Sequence, residues 1–172
     1  MAGLLNRMRR AALLEPTLYE EVEADTHASW QAVGVVILSG LAAGIGSGAG
    51  LSAGRIVGWT LIALLGWYLW AYLTYIIGAR FLPEPQTSAD HGELLRTIGF
   101  SSAPGVLRIL GLIPGLRGVV FVGVSVWMLV AMIVAVRQAL DYTSTFRAIG
   151  VCTVGWFAIM LLIFMFASPL SS

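Results

Sequence analysis

Five long apolar segments constrain this chain most, because each is about as long as a membrane-spanning helix. A helix needs about 20 mainly apolar residues to cross roughly 30 Å of hydrocarbon. By residue number the segments are 29–46, 56–79, 92–112, 117–136 and 146–168. Only 11% of the residues are charged, against about a quarter in a typical soluble domain. A soluble helical protein with a very apolar core is the alternative. The composition favours an all-α integral membrane protein, a bundle of five transmembrane helices.

The arginines predict the orientation of this bundle, because positive charge is retained on the cytoplasmic side of a membrane. With the N-terminus in the cytoplasm, the inside holds seven arginines: Arg7, Arg9, Arg10, Arg80, Arg96, Arg137 and Arg147. The outside holds three: Arg55, Arg108 and Arg117. All nine acidic residues also fall inside. We therefore expect a cytoplasmic N-terminus and an external C-terminus.

Residues 1–28 precede the membrane domain, 29–172, and form a segment of their own. Its first part is not a secretory signal, because arginines interrupt the apolar run. The apolar residues recur at helical spacing: Leu4, Leu5, Met8, Ala11 and Ala12. One interpretation is a short amphipathic helix on the membrane surface, with Arg7, Arg9 and Arg10 toward lipid phosphates. The other is a partly ordered tail.

The third apolar segment contains a proline that predicts a kink. Asp90 and Glu93 have the spacing of a capping box, so the helix is expected to begin near His91. Pro104 then lies more than half way along it. In a membrane the carbonyl that this proline frees must be satisfied by neighbouring helices or hydroxyl groups. We therefore expect a kinked third helix.

Two arginines flank the predicted outer turn at Pro114-Gly115. Arg108 lies near the end of the third segment and Arg117 begins the fourth. Both are expected at one outer corner of the bundle. They either extend to lipid phosphates, as long cationic side chains near helix ends do, or bind an acidic partner or a specific ligand.

The glycines of residues 40–58 suggest close helix packing. Gly40 and Gly44 have the four-residue spacing that lets membrane helices approach each other. We interpret this pair as a packing face, and Gly46, Gly50, Gly54 and Gly58 as parts of a flexible outer loop. The similarity of this stretch to a nucleotide-binding glycine loop is rejected, because a membrane segment precedes it and no acidic residue follows at the required distance.

A tyrosine face runs along the second segment. Tyr68, Tyr72 and Tyr75 share one side of a helix at four- and three-residue spacing. Such a face either packs against another helix through its hydroxyl groups or lines a polar path for a substrate. Both interpretations remain open from the sequence.

Residues with catalytic or ligand chemistry are missing from the centres of the segments. No Asp, Glu, Lys or His lies there, where ion and proton pathways usually need one. His27 and His91 are far apart, and Cys152 has no histidine near it in sequence. We therefore expect no enzyme, no catalytic residues, no cofactor and no metal site. The net charge of +1 also argues against nucleic acid as a partner.

Three stretches resemble the Yip (Ypt-interacting protein) family. "LLEPTLYEEVEADTHASW" (13–30) is similar to the family's N-terminal signature. "YIIGARFLPEPQTSADHGELLRTIGFSSAPGVL" (75–107) is similar to its second-to-third helix region, where a Gly-Phe/Tyr-x-x-x-Pro pattern is met by Gly99, Phe100 and Pro104. "VWMLVAMIVAVRQALDYTSTFRA" (126–148) resembles the fourth span and the loop after it.

The resemblance implies a prokaryotic cytoplasmic-membrane protein with five helices and a cytoplasmic N-terminus. Eukaryotic relatives bind Rab-type GTPases, partly through a longer N-terminal region, so we do not expect that binding here. The main hypothesis is a non-enzymatic scaffold or accessory subunit in membrane organisation, trafficking or export, with lipids and another membrane protein or a second copy as partners. The alternative is a small carrier or channel for a lipid or an uncharged solute.

Overall fold

The computed structural model describes residues 3–47 and 52–167, with side chains up to residue 160. All regular elements in these ranges are helical, and no strand occurs in them, which confirms the all-α prediction. The helices are α1 Leu4–Ala12, α2 Pro16–Ala24, α3 Ala28–Gly46, α4 Ala53–Tyr75 with a π-helical continuation Ile76–Phe81, α5 His91–Ser101, a 3-10 helix Ala103–Leu112, α6 Arg117–Ala139 and α7 Thr145–Ala167.

Three helices are long and apolar enough to cross a membrane. They are Ala28–Gly46, Ala53–Phe81 and Arg117–Ala139, with mean hydropathies of 1.6, 1.6 and 2.8. Thr145–Met160 is a shorter apolar helix within the side chains that the structure describes. The end of the predicted fifth segment, residue 168, lies outside the described residues. These helices are compatible with a membrane protein.

Helix α4 begins earlier than the glycine pattern predicted. It starts at Ala53, so Gly54 and Gly58 are helical, and Gly46 is the last residue of α3. Gly50 lies outside the described residues. The prediction of a flexible loop is therefore wrong for the three described glycines. A helix that satisfies its own backbone groups is the favoured state in lipid even where glycines weaken it.

Helix α3 lies at the centre of the bundle, against α4, α5 and the 3-10 helix. Ala32 and Val35 are fully buried. A Cβ atom on Gly40 would lie 2.9 Å from the Thr60 Cα, and one on Gly44 would lie 3.0 Å from the Ile56 Cα. Because side chains do not approach a backbone this closely, the two glycines allow α3 and α4 to pack backbone to backbone.

Helix α5 begins with the predicted capping box. The Glu93 amide donates to the Asp90 carboxylate at 2.8 Å, and the Asp90 amide donates to the Glu93 carboxylate at 2.8 Å. The two bonds satisfy amide groups that have no partner within the helix. The predicted start of this helix, near His91, is confirmed.

The chain after α5 continues as a 3-10 helix, where the sequence predicted one bent α-helix. Helix α5 ends at Ser101, and Pro104 is the second residue of the 3-10 helix. Proline suits the first turn of a helix, because its missing N–H would have no partner there. A Cβ atom on Gly105 would overlap the Ser39 side chain. The 3-10 helix therefore packs tightly against α3.

Helices α1 and α2 fold back onto the bundle as a helical hairpin, which we call the N-terminal hairpin (residues 4–24). One hydrophobic cluster joins it to α3, α5, the 3-10 helix and α6. Its buried members are Ala11, Leu18, Tyr19, Val22, Ala28, Ala32, Val35, Phe100, Ala103 and Ala135. The hairpin is thus part of the folded core.

Candidate functional site

A cavity of about 520 Å³ lies between α3, α4, α5, the 3-10 helix, α6 and α7, and we call it the central cavity. Pockets that bind small molecules have volumes of about 300–1,000 Å³ and mainly apolar walls. Four tryptophans contribute to this wall: Trp59, Trp67, Trp70 and Trp156. Five polar side chains also reach it: Ser39, Ser101, Ser102, Ser125 and Arg108. The cavity therefore has the size and the mixed lining of a site for an amphiphilic molecule.

The central cavity lies at the depth of the apolar helices. On α4 its lining extends from Trp59 to Trp70, which is about 16 Å along a helix axis at 1.5 Å per residue. Two lining residues, Ile62 and Trp156, are 64% and 50% exposed. Because they also face the outside of the bundle, the rim of the cavity reaches the surface that would contact acyl chains.

Arg108 is the cation of the central cavity. It comes from the 3-10 helix and donates one hydrogen bond from Nη2 to Ser125 Oγ at 2.9 Å. Its guanidinium carbon lies 5.6 Å from the centre of the Phe121 ring, a cation–π distance. Its buried Nε has no hydrogen-bond partner within the described ranges. Since a guanidinium carries five N–H donors, this group has unused capacity for a ligand.

The Arg108 backbone lies beside Gly46, the last residue of α3, and its guanidinium reaches toward α6. Ser125 lies eight residues into α6, about 12 Å from the start of that helix. The hydrogen bond directs the guanidinium toward α6 at this level. The side chain therefore points into the cavity, and the sequence could not show this because it depends on how the 3-10 helix faces α6.

The chain supplies no acidic residue in the apolar helices to neutralise Arg108. No Asp or Glu occurs between Asp25 and Glu84, between Glu93 and Asp141, or after Asp141. Charged groups inside membranes almost always pair with another group or face a cavity. An unpaired cation is costly where the dielectric constant is low. No acidic residue of the apolar helices can therefore pair with Arg108.

Two tryptophan side chains of the cavity wall, Trp67 and Trp70, differ in their hydrogen bonding. Trp67 Nε1 donates to the Leu95 carbonyl at 2.9 Å, which joins α4 to α5. Trp70 Nε1 is buried without a partner in the part of the chain that the structure describes. Because buried donors are usually paired, the cavity wall holds a second unsatisfied group besides Arg108 Nε.

Arg117, the other arginine of the predicted outer corner, has a different environment. It donates to the Ser47 carbonyl at 2.9 Å, just after α3. A Cβ atom on Gly46 would overlap the Arg108 carbonyl oxygen. The Arg108 backbone and the Arg117 guanidinium therefore both lie at the C-terminal end of α3. Their guanidinium groups, however, bind different partners.

The N-terminal arginines lie differently from the predicted lipid-facing set. Arg7 is 5% exposed and binds Glu21 in α2 and Asp25 directly after α2 at 2.9 and 2.8 Å. It also donates to Gln31 at 3.0 Å. Its burial corrects the prediction that Arg7 points toward lipid phosphates. The helical pattern misled at Arg7, which was assigned to the lipid-phosphate side and takes a place in the core.

The other two arginines of α1, Arg10 and Arg9, differ in their contacts. Arg10 binds Glu15 at 2.8 Å and also pairs with Glu21, so it too contacts the chain's own carboxylates. Hydrogen bonds from Arg10 and Arg7 hold the pKa of Glu21 below its usual value, against the opposing effect of burial. Arg9 is exposed, and contact with lipid stays a prediction for this arginine.

The tyrosine face packs around a histidine. The rings of Tyr68, Tyr72 and Tyr75 lie edge-on to the His91 ring, with centres 5.3, 5.6 and 6.2 Å away. Tyr68 and Tyr72 are 56% and 46% exposed. None of the three lines the central cavity. The face therefore joins α4 to the start of α5, and the structure gives no support to a tyrosine-lined path.

The residues of the Gly-Phe-x-x-x-Pro pattern occupy the centre of the bundle. A Cβ atom on Gly99 would lie 2.7 Å from the Ala32 Cβ. Phe100 and Pro104 are fully buried. The pattern therefore brings α5 and the 3-10 helix against α3. This placement is structural, and it sets the position of Arg108 four residues later.

Sequence reasoning missed Arg96 as a structural residue. Its guanidinium is buried and donates to the carbonyl groups of Val22 and Glu23 at the end of α2. Cations near the C-terminal end of a helix interact favourably with its carbonyl groups and its dipole. The sequence did contain a signal for this contact, because Arg96 is a cation in a mainly apolar helix and α2 is acidic. Arg96 fastens the N-terminal hairpin to α5.

A second cavity, of about 590 Å³, lies beside the hairpin at the end of the bundle where α6 ends. Glu20, Glu23, Glu93 and Asp141 line it together with Arg137. Burial and the charges of Glu93 and Asp141 raise the pKa of Glu23 to about 7. The described residues contain no group of three potential ligands that could hold a metal ion, so this acidic cleft is not assigned as a metal site.

The fold and the central cavity together define a class: an all-helical protein with membrane-type helices and an internal amphiphilic cavity. In comparisons with protein-family models, with curated proteins and with solved structures, no match to this chain is found. The resemblance to the Yip family therefore remains a proposal that rests on the residues themselves.

Proposed function

We propose that the chain crosses a prokaryotic cytoplasmic membrane five times, with the N-terminus in the cytoplasm. Three helices with the required length and hydropathy support this topology, together with the apolar α7. The remaining crossing would be formed by α5 and the 3-10 helix. Placed end to end, eleven α-helical and ten 3-10 residues would extend about 36 Å, which exceeds the roughly 30 Å of the hydrocarbon core.

The clustering of polar contacts supports the same topology. Glu84 in the linker after α4 accepts hydrogen bonds from Thr143 in the loop before α7, at 3.0 and 2.9 Å. Gln138 at the end of α6 donates to Glu20 in the hairpin at 2.9 Å. The linker, the loop and the hairpin thus meet at one end of the bundle. That end would face the cytoplasm.

Reporter fusions test this topology directly. A reporter before Met1 and one after Ser172 are expected on opposite sides of the membrane. Reporters in the linker 82–90 and in the turn 113–116 are expected inside and outside, respectively. Detection of both terminal reporters on one side would contradict an odd number of crossings.

We infer that the protein is a non-enzymatic membrane protein that binds lipid within its helical bundle and acts as a scaffold or accessory subunit. The observation that carries this proposal is the central cavity, which lies between the apolar helices and is lined by tryptophans and serines. A bound lipid would fill its apolar volume and satisfy its free donors. The Yip resemblance supports a role in membrane organisation, trafficking or export.

Lipid retention after purification in mild detergent tests the proposal. Gly66 lines the cavity, and a Cβ atom there meets nothing within 4 Å, so Gly66→Leu would fill the space without a backbone clash. Gly58 is also in α4, and a Cβ atom there is equally free, but it lies outside the lining. Native mass spectrometry is expected to show bound lipid in the wild type and in Gly58→Leu, and much less in Gly66→Leu. Equal lipid in both variants would contradict binding in the cavity.

A carrier for a lipid is the second candidate, favoured by the exposed rim residues Ile62 and Trp156. Through such a rim a lipid could enter from one leaflet and leave into the other. Reconstitution in liposomes with a labelled lipid separates the two roles. A carrier accelerates exchange between leaflets and loses this activity in Gly66→Leu, whereas a scaffold retains lipid without exchange.

A further inference from the structure

We propose that the central cavity is selective for a single-chain amphiphile with an anionic head group, a carboxylate or a phosphate monoester, which pairs with Arg108. This inference rests on the proposed lipid-binding function and names its ligand class. The first support is the state of Arg108. Within the described residues the guanidinium donates one hydrogen bond, to Ser125. Its buried Nε has no hydrogen-bond partner in the same ranges.

The second support is the distribution of acidic residues. A guanidinium pairs bidentately with the planar carboxylate and with phosphate oxygens. The nearest acidic residues along the chain are Glu93, 15 positions before Arg108, and Asp141, 33 positions after it. Both line the second cavity, beside the N-terminal hairpin. No internal carboxylate can therefore act as the partner, and an anion from outside the chain satisfies both charge and hydrogen bonding.

The third support is the shape of the lining. Arg108 and Ser125 make the lining polar where the 3-10 helix and α6 form the wall of the cavity. Trp67, Trp70 and Met132 line the remainder, and tryptophan and methionine present large apolar surfaces. A volume of about 520 Å³ matches one drug-sized molecule. It therefore suits one acyl chain better than the two chains of a phospholipid.

Tryptophan quenching in the delipidated full-length protein provides the test. The probes are a spin-labelled fatty acid, used at a pH where the free acid is ionised, and its methyl ester, which has the same chain and no charge. Four of the six tryptophans line the cavity, so a bound probe quenches most of the emission. The wild type is expected to bind the acid at least about tenfold more tightly than the ester.

The variants assign the selectivity to one residue. Arg108→Gln is expected to bind the acid as weakly as the wild type binds the ester, and to leave ester binding unchanged, which also shows that this variant is folded. Arg117→Gln is the matched control, because Arg117 lies at the same end of α3 and donates outside the cavity to the Ser47 carbonyl. It is expected to retain the preference for the acid. Should Arg108→Gln fail to fold, Arg108→Lys, which keeps the charge and loses the planar fork, is expected to show a reduced preference.

The outcomes separate this inference from the proposed function. Equal binding of acid and ester by the wild type overturns the anionic head group and leaves the lipid-binding proposal intact. Absence of quenching by either probe overturns both. Unlabelled fatty acid and a single-chain lipid phosphate are expected to displace the probe, and the stronger competitor identifies the head group. Displacement by the fatty alcohol at the same concentration contradicts recognition of a charge.

Discussion

Removal of Arg7 is expected to release α1 from α2 and α3. The Arg7 side chain is 6% exposed and is the one basic group that joins Glu21 and Asp25 of the hairpin region to Gln31 of α3 among the described residues. In Arg7→Ala the carboxylate of Asp25 keeps a bond from the His27 amide, and that of Glu21 keeps Arg10. The link to Gln31 is lost entirely.

The free energy that Arg7→Ala is expected to lose depends on how far each ion-pair partner of Arg7 is buried. Breaking a fully buried ion pair costs about 3–5 kcal/mol, because the remaining charge stays without a partner. The Glu21 and Asp25 side chains are 35% and 31% exposed, so water replaces part of the interaction. We therefore expect a loss of about 2–3 kcal/mol in the free energy that holds α1 against α2 and α3. This corresponds to a state with α1 released that is about 30- to 150-fold more populated.

Amide hydrogen exchange in lipid nanodiscs measures this population, because the amides of α1, residues 4–12, exchange from the released form. Their exchange is expected to accelerate by the same factor in Arg7→Ala. Arg9→Ala is the matched control: Arg9 lies in the same helix and is exposed, so its replacement is expected to change stability by less than about 0.5 kcal/mol. Equal exchange in the two variants would refute the assignment of Arg7 as the link.

Three further predictions concern packing, pH and proline. Gly46→Ala is expected to lose about 1–3 kcal/mol in thermal stability, because the new Cβ overlaps a 3-10 helix carbonyl, whereas Gly58→Ala gains about 0.5–1 kcal/mol. Burial raises the pKa of Glu23 from 4.5 to about 7. Because the folded protein then binds a proton more tightly than the unfolded chain, the free energy of unfolding is expected to fall as pH rises from 4.5 to about 7. Glu23→Gln is expected to remove this fall when denaturant unfolding is measured across that interval. Pro104→Ala is expected to reduce folded yield more than Pro114→Ala, because Pro104 is fully buried.

The helices could be predicted from the sequence because their signals are local. Apolar length located α3, α4 and α6, and Asp90 with Glu93 located the start of α5 within one residue. These features depend on contacts between residues a few positions apart. The type of helix after Pro104 could not be predicted, because it depends on how Gly105 meets Ser39 from another helix.

The central cavity could be predicted only in part, through one of its residues. Arg108 was noticed because a cation in an apolar segment is unusual. Its direction depends on Ser125 and Phe121, 17 and 13 residues later, and no periodicity connects these positions to it. The prediction for the N-terminal hairpin was wrong at Arg7 for a different reason. An amphipathic pattern assumes one partner surface, whereas Arg7 is surrounded by α2 and α3 at once.

The contacts that hold the N-terminal hairpin lie away from the central cavity. Arg7 joins α1 to α2 and α3, and Arg96 joins α2 to α5, and neither arginine lines the cavity. Gly40, in contrast, both brings α3 against α4 and lines the cavity. An unsatisfied buried donor and an unfilled volume both cost stability. Gly66→Leu is therefore expected to fill the volume and exclude a ligand while it leaves Arg108, the one charged side chain of the described cavity wall, in place.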